Sequence, residues 1–251
     1  FRSVLREAAP FMRPGIPVVS LTKGIEQDTL QMMTEVVTEE TDAPPHRVGV
    51  LTGPNLAKEI MAGQPAASVI AVQDQWEAER LQSLFMAPTF RVYTNPDVRG
   101  CESAGALKNV MALASGMAHG LGYGDNSKAA LITRALAELT RLGVALGGQA
   151  LTYAGLAGMG DLVATCFSTQ SRNRTVGVAL GEGEALQSIV DRMQMVAEGV
   201  KTTKAVLALA HRNGIEMPIA EMVGGVLDGA EPIKMVTSLM GRAARSEVEG
   251  S

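Results

Sequence analysis

The chain has 251 residues, enough to bury a substantial core in one or two domains, and its 22 Lys and Arg against 26 Asp and Glu leave a net charge of -4. That mild acidity, with no Lys/Arg cluster, argues against an electrostatic nucleic-acid surface, and no nucleic-acid partner is expected. Two cysteines, Cys101 and Cys166, and three scattered histidines fit neither a disulfide framework nor a zinc spacing, so no metal is expected.

No secretory signal and no uninterrupted apolar run of membrane length are read in the sequence. Membrane insertion is therefore not expected, and the cytoplasm is the expected compartment. The chain opens at Phe1, without Met, inside a helical pattern of Val4, Leu5, Ala8, Phe11 and Met12. This start predicts a chain that begins partway through a longer protein.

Pro17 to Leu21 is a short β-branched run that ends at Thr22-Lys23-Gly24. A helical pattern follows from Asp28 through Leu30, Met33, Val36 and Val37, then a polar loop through Pro45. Val48 to Leu51 reads as the next strand and runs into Gly53-Pro54-Asn55 and a short helix, Leu56 to Met61. Ala67 to Val72 is a third strand, Gln75 to Leu84 an amphipathic helix and Phe90 to Tyr93 a fourth strand. Strands alternating with helices at this spacing predict an α/β sheet with helices on its faces. Ligands of such sheets sit at the carboxyl ends of the strands, where Lys23 and Gly53-Pro54-Asn55 both fall.

After Pro96 the texture changes, and helical patterns run to the end. From Ser103 to Ala118 the only charged residue is Lys108, in the stretch Gly-Ala-Leu-Lys-Asn over 105–109. A segment apolar on every face is a buried helix, so a lysine is carried into the interior beside Asn109. An unpaired buried ammonium is costly, which leaves two readings: a stem that snorkels to water, or a charge kept for chemistry. A glycine-rich connector, residues 119–126, leads to a helix over Ser127–Leu146 that Asp125 or Asn126 can cap. Its Arg134/Glu138 pair has the i, i+4 spacing of a surface ion pair. Those glycines follow a helix and so cannot be a dinucleotide fingerprint, which must follow a strand. Further helices are expected at Ser171–Leu180, Thr202–Asn213, Ile219–Leu227 and Pro232–Ala244.

Polar residues collect at three places: Lys108-Asn109, Gly158-Met-Gly-Asp161 followed by Thr165, and Ser171-Arg172-Asn173 at a helix start. Helix-start amides with an arginine fork suit an anion. Taken alone, Arg172 also reads as a solvated surface residue and Asp161 as a helix cap.

These clusters occur in order with Ser20-Leu-Thr-Lys23-Gly-Ile-Glu26 and Leu51-Thr-Gly53-Pro-Asn-Leu-Ala57-Lys-Glu59. The set resembles NAD(P)-dependent glycerol-3-phosphate dehydrogenases of the bacterial type along essentially the whole chain. The resemblance implies a Rossmann-like dinucleotide-binding domain, here its C-terminal portion over 1–95. An all-helical substrate and dimerisation domain follows over 96–251, similar to the C-terminal domain of 6-phosphogluconate dehydrogenase. It implies interconversion of dihydroxyacetone phosphate and sn-glycerol 3-phosphate with NAD(P)H, a supply of glycerol 3-phosphate to phospholipid synthesis, and a homodimer. Under it Lys108, Lys23 and Asp161 are the catalytic group. The substrate residues are Lys23, Gly53, Asn55, Lys108, Asn109, Asp161, Ser171, Arg172 and Asn173. The cofactor residues are Lys23, Ala57, Arg172, Val196 and Glu198. Asn55 stands where the family usually has Ser or Thr, though an amide can still donate a hydrogen bond.

The family's glycine-rich fingerprint should lie upstream of Phe1. The 251 residues alone are therefore expected not to turn over, since backbone amides of that turn normally hold the pyrophosphate. Two other readings are a related two-domain dehydrogenase of another substrate and a non-catalytic piece retaining the helical domain.

Overall fold

The computed structural model describes residues 1–193 and 197–243. It forms two compact units, one of residues 1–106 with 146–161, the other of residues 107–145 with those from 162 onward. In the first, α1 (Arg2–Ala8) precedes β1 (Val18–Ser20), α2 (Met33–Thr41), β2 (Val48–Thr52) and α3 (Ala57–Met61). β3 (Ala66–Ala71), α4 (Gln75–Phe85) and β4 (Phe90–Asn95) follow. The sheet order is β1-β2-β3-β4. β1 and β2 pair in parallel with Val18 opposite Val48, and β3 and β4 in parallel with Ala66 opposite Phe90. β2 and β3 run antiparallel with Val50 opposite Ala71, which the alternation of strands and helices does not reveal.

Side-chain alternation along each strand splits the apolar residues between two faces. Leu51, Ile70, Val72 and Val92 pack with Ala78 and Leu81 of α4. Val50, Val69 and Ala71 pack with Cys101 and Ala157. Because β1 and β2 are parallel, the segments after Ser20 and after Thr52 leave the sheet at the same end.

The helix expected from Asp28 starts later, at Met33. Residues 25–32 instead close a tight turn, with Ile25 bridged to Met32, the Glu26 N–H donating to the Gln31 carbonyl at 2.9 Å, and Leu30 at φ 60°. The Glu35 carboxylate, reaching back to the Met32 N–H at 2.8 Å, fixes the helix start there.

α5 (Val98–Gly120) carries the buried lysine. Its start, up to Ala106, is attached to the first unit and the rest of the helix belongs to the second. Two buried carboxylates explain the attachment. Asp97 accepts the N–H groups of Gly100 and Gln149, each at 2.8 Å, and the Thr152 hydroxyl at 2.6 Å. Glu102 accepts the N–H and the hydroxyl of Thr34, at the start of α2, and burial raises the pKa of its carboxyl.

α6 (Asp125–Ala145) opens with Asp125 already inside its first turn, one step beyond a capping position. The segment after it was not read as helical. It forms α7 (Ala150–Tyr153), a π turn over Leu156–Gly160 and α8 (Asp161–Phe167). Among the described residues one run has membrane length and apolarity, Ala150–Phe167, 18 residues at mean hydropathy 1.3. It is broken at Ala154–Gly155 and carries the buried Asp161, features of a core segment. α9 (Arg172–Gly181), α10 (Leu186–Arg192), α11 (Glu198–Arg212), α12 (Pro218–Leu227) and α13 (Pro232–Met240) complete the described helices; α13 ends at Met240, short of the expected Ala244, which lies outside the described residues. In the second unit α5 and α9 touch backbone to backbone. A Cβ on Gly116 would lie 2.8 Å from the Gly177 Cα, and one on Gly177 2.1 Å from the Leu113 carbonyl oxygen.

Glu138 does not serve the expected surface pair with Arg134. It is buried and accepts the N–H of Ile219 at 2.9 and 3.1 Å, at the start of α12. Met217, the residue before that helix, offers no side-chain cap, so the carboxylate of α6 supplies one. Burial pushes the Glu138 carboxyl up from 4.5 to about 7. A carboxyl whose folded pKa exceeds its unfolded one binds its proton more tightly when folded. Its stabilisation is full below pH 4.5 and lost as pH rises through about 7. Glu138→Gln keeps an acceptor for the Ile219 N–H and removes the titration. In urea unfolding across this pH range the variant should escape that part of the parent's loss, a difference of at most a few kcal/mol. Parallel profiles would show that Glu138 does not carry the dependence.

Candidate active site

In the first unit, Lys23 follows β1 and its ammonium is held by oxygen acceptors. Nζ donates to the Gly53 carbonyl at 3.0 Å, to Asn55 Oδ1 at 3.0 Å and to Asp161 Oδ2 at 2.6 Å. Asp161 is 2% exposed, and pairing with Lys23 satisfies a charge that burial alone would penalise. Asn55 thus accepts through Oδ1 and keeps its NH2 as a donor. Two glycines make room for this cluster. Gly53 sits at φ 135°, where a Cβ would lie 3.1 Å from the Ser68 Cα. A Cβ on Gly105 would lie 3.0 Å from Thr52 Oγ1 and 3.4 Å from the Lys23 stem. The first residue of the Gly-Ala-Leu-Lys-Asn stretch is therefore where α5 admits the lysine of β1. Ala57 starts α3, two residues beyond Asn55.

In the second unit, Lys108 is 5% exposed, and its Nζ donates to the Thr165 hydroxyl at 2.5 Å. The snorkelling reading fails: the ammonium ends on a buried hydroxyl. Asn109 beside it is equally buried. The Ser171 hydroxyl caps α9 by accepting the Arg174 N–H at 3.3 Å. At that helix start Arg172 pairs with Glu198 at 2.5 Å, and Asn173 Oδ1 accepts the Gly199 N–H at 2.8 Å. Expected substrate and cofactor residues from two separate helices thus meet. Val196 lies outside the described residues.

Sequence reading noted Thr165 without giving it a role, and it missed Gly199. Thr165 stands one helical turn after Asp161, a spacing that could have drawn attention to it. Nothing in the sequence around Gly199 sets it apart from an ordinary small helix residue. Among the described residues no group of His, Cys, Asp and Glu is arranged to hold a metal ion.

Residues 97–238 match the model for the C-terminus of NAD-dependent glycerol-3-phosphate dehydrogenase, and residues 1–78 the model for its N-terminus. The chain belongs to this family. It is 58% identical over 229 residues to a glycerol-3-phosphate dehydrogenase [NAD(P)+] of Sphingopyxis alaskensis, covering 91% of this chain and 68% of that protein. Against the enzyme of Moorella thermoacetica the identity is 50% over 249 residues, covering 99% and 73%. The crystal structure of the glycerol-3-phosphate dehydrogenase from Coxiella burnetii superposes with a TM-score of 0.90 at 37% identity, covering 96% and 74%.

The residues present suit an anionic dinucleotide. Lys23 supplies a cation at the carboxyl end of the parallel pair β1/β2, where nucleotides bind such sheets, and Gly53 keeps the backbone bare there. Arg172 adds a guanidinium that is partly exposed.

The Lys108–Thr165 bond has a direct test in stability. Thr165→Val removes the hydroxyl that receives a buried ammonium and should lower the unfolding free energy by about 1–3 kcal/mol. Thr165→Ser should keep most of it. Equal stability of the two variants in urea titration would show that the bond is dispensable.

Proposed function

We propose that this protein interconverts dihydroxyacetone phosphate and sn-glycerol 3-phosphate, with Lys108 as the proton donor. The observation that carries the assignment of the donor is the burial of Lys108, with Nζ on Thr165. A nicotinamide, when bound, would supply the hydride, which no side chain can. In reduction the carbonyl carbon gains that hydride and its oxygen takes a proton from the Lys108 ammonium; in oxidation the proton returns to Lys108. A cation with a proton to give answers the charge that develops on the ketone oxygen, and water exclusion strengthens the interaction.

Thr165 holds the Lys108 ammonium in place, and Asn109 helps to orient the substrate. Lys23, fixed by Asp161, Gly53 and Asn55, faces substrate and cofactor. Arg172 and Asn173, with the amides that open α9, hold the phosphate; Ser171 shapes that turn. Anchoring the phosphate fixes a small substrate through its unreactive end. Residues 1–95 serve the dinucleotide, with Ala57 facing it. Residues 96–251 serve the substrate and a homodimer, and contribute Arg172, Val196 and Glu198 to the cofactor. A cytoplasmic location and a supply of glycerol 3-phosphate to phospholipid synthesis complete the reading.

The test is NAD(P)H oxidation by the intact enzyme with dihydroxyacetone phosphate and with unphosphorylated dihydroxyacetone. Arg172→Lys keeps the charge and loses the bidentate fork. The variant should lose about a hundredfold in kcat/KM for the phosphorylated ketone and much less for the other, the worth of a charge-assisted contact. Equal losses would remove Arg172 from the phosphate site.

A further inference from the structure

Both residues that open α9 are engaged by the two residues that open α11. Glu198 takes the Arg172 guanidinium, and Gly199 donates its backbone N–H to Asn173 Oδ1 at 2.8 Å. Asn173 is 4% exposed, so its amide has little freedom to turn over. With Oδ1 occupied as an acceptor, Nδ2 is left as the only other polar atom of the side chain, and it can only donate. Gly199 is also held against the turn that carries Lys108. A Cβ there would lie 2.6 Å from the Asn109 carbonyl oxygen and 2.9 Å from Asn173 Oδ1. Both are rigid groups: one is backbone inside α5, the other the buried amide itself. No side chain larger than glycine fits without displacing one of them.

We infer that Gly199 is a positioning residue for phosphate recognition. Its N–H locks the Asn173 amide with the NH2 end presented as a donor, and its missing side chain lets α11 seat against Asn109. The inference rests on the reading of Asn173 and Arg172 as the phosphate contacts. An amide free to rotate would present its oxygen to an anion part of the time, and that orientation repels. One backbone N–H therefore converts an indifferent amide into an anion-selective one. The same turn sets the distance from the anchored phosphate to Lys108, because Asn109 is the next residue along α5.

The experiment uses the intact enzyme and three variants. Gly199→Ala should raise KM for dihydroxyacetone phosphate by about tenfold or more, the worth of one hydrogen bond to a charged group. The inhibition constant of inorganic phosphate should rise in step, and kcat/KM should fall more for dihydroxyacetone phosphate than for unphosphorylated dihydroxyacetone. Gly225→Ala, on α12, where an added Cβ would meet the flexible end of the Met235 side chain at 2.6 Å, is the control for helix packing. It should lower Tm without changing either constant. If Gly199→Ala fails to fold, Asn173→Asp decides. It keeps an acceptor for the Gly199 N–H and removes the donor, so phosphate inhibition should be lost. Unchanged KM and phosphate inhibition in Gly199→Ala overturn the inference, as does normal phosphate inhibition in Asn173→Asp. A parent enzyme that ignores dihydroxyacetone phosphate altogether would instead overturn the functional reading beneath it.

Discussion

An ammonium group buried in an apolar helix constrains the second unit more than any other single feature. Lys108 costs free energy wherever it lacks partners, and α5 around it is mostly Ala, Leu, Met, Val and Gly, with Asn109 beside it. The Thr165 hydroxyl meets Nζ from α8. A chain selected for stability alone would place an apolar side chain here, since well-packed replacements of buried charges are often neutral or stabilising. Retaining the charge makes sense if the reaction uses it.

Close backbone packing then fixes where the rest of the second unit can go. Gly116 and Gly177 bring α5 and α9 into contact, and Gly199 brings α11 onto Asn109 and Asn173. Such contacts leave no soft side chain to absorb a shift, so the start of α9 is held firmly relative to the Lys108 turn. In the first unit the parallel pair β1/β2 plays the corresponding part. It delivers Lys23 and the Gly53–Asn55 segment at one sheet end, and Asp161 closes the cluster.

Much of this was legible in the sequence, for identifiable reasons. Lys108 stood out because a single charge interrupts a long apolar run, and burial bears that out. The start of α9 stood out because Ser171 is a strong capping residue next to an arginine. What escaped notice depends on partners far apart in sequence. The antiparallel β2/β3 pairing sets no local pattern different from a parallel one. Glu138 carries a local i, i+4 signal that a distant helix start overrides, because the Ile219 N–H needs an acceptor more than Arg134 needs a surface partner. Gly199 looks like any small helix residue until Asn109 and Asn173 are placed around it.

The claim on which the account turns is that the Lys108 ammonium gives its proton to the substrate. Chemical rescue tests it most directly. Lys108→Ala leaves a cavity about the size of the lost stem and amine, and small primary alkylammonium ions can enter such a space. The account predicts that turnover of dihydroxyacetone phosphate falls by orders of magnitude in the variant, and that added ethylamine restores a saturable part of it without changing KM for the cofactor. Turnover by Lys108→Ala within about tenfold of the parent, a barrier change of only about 1.4 kcal/mol, would contradict it.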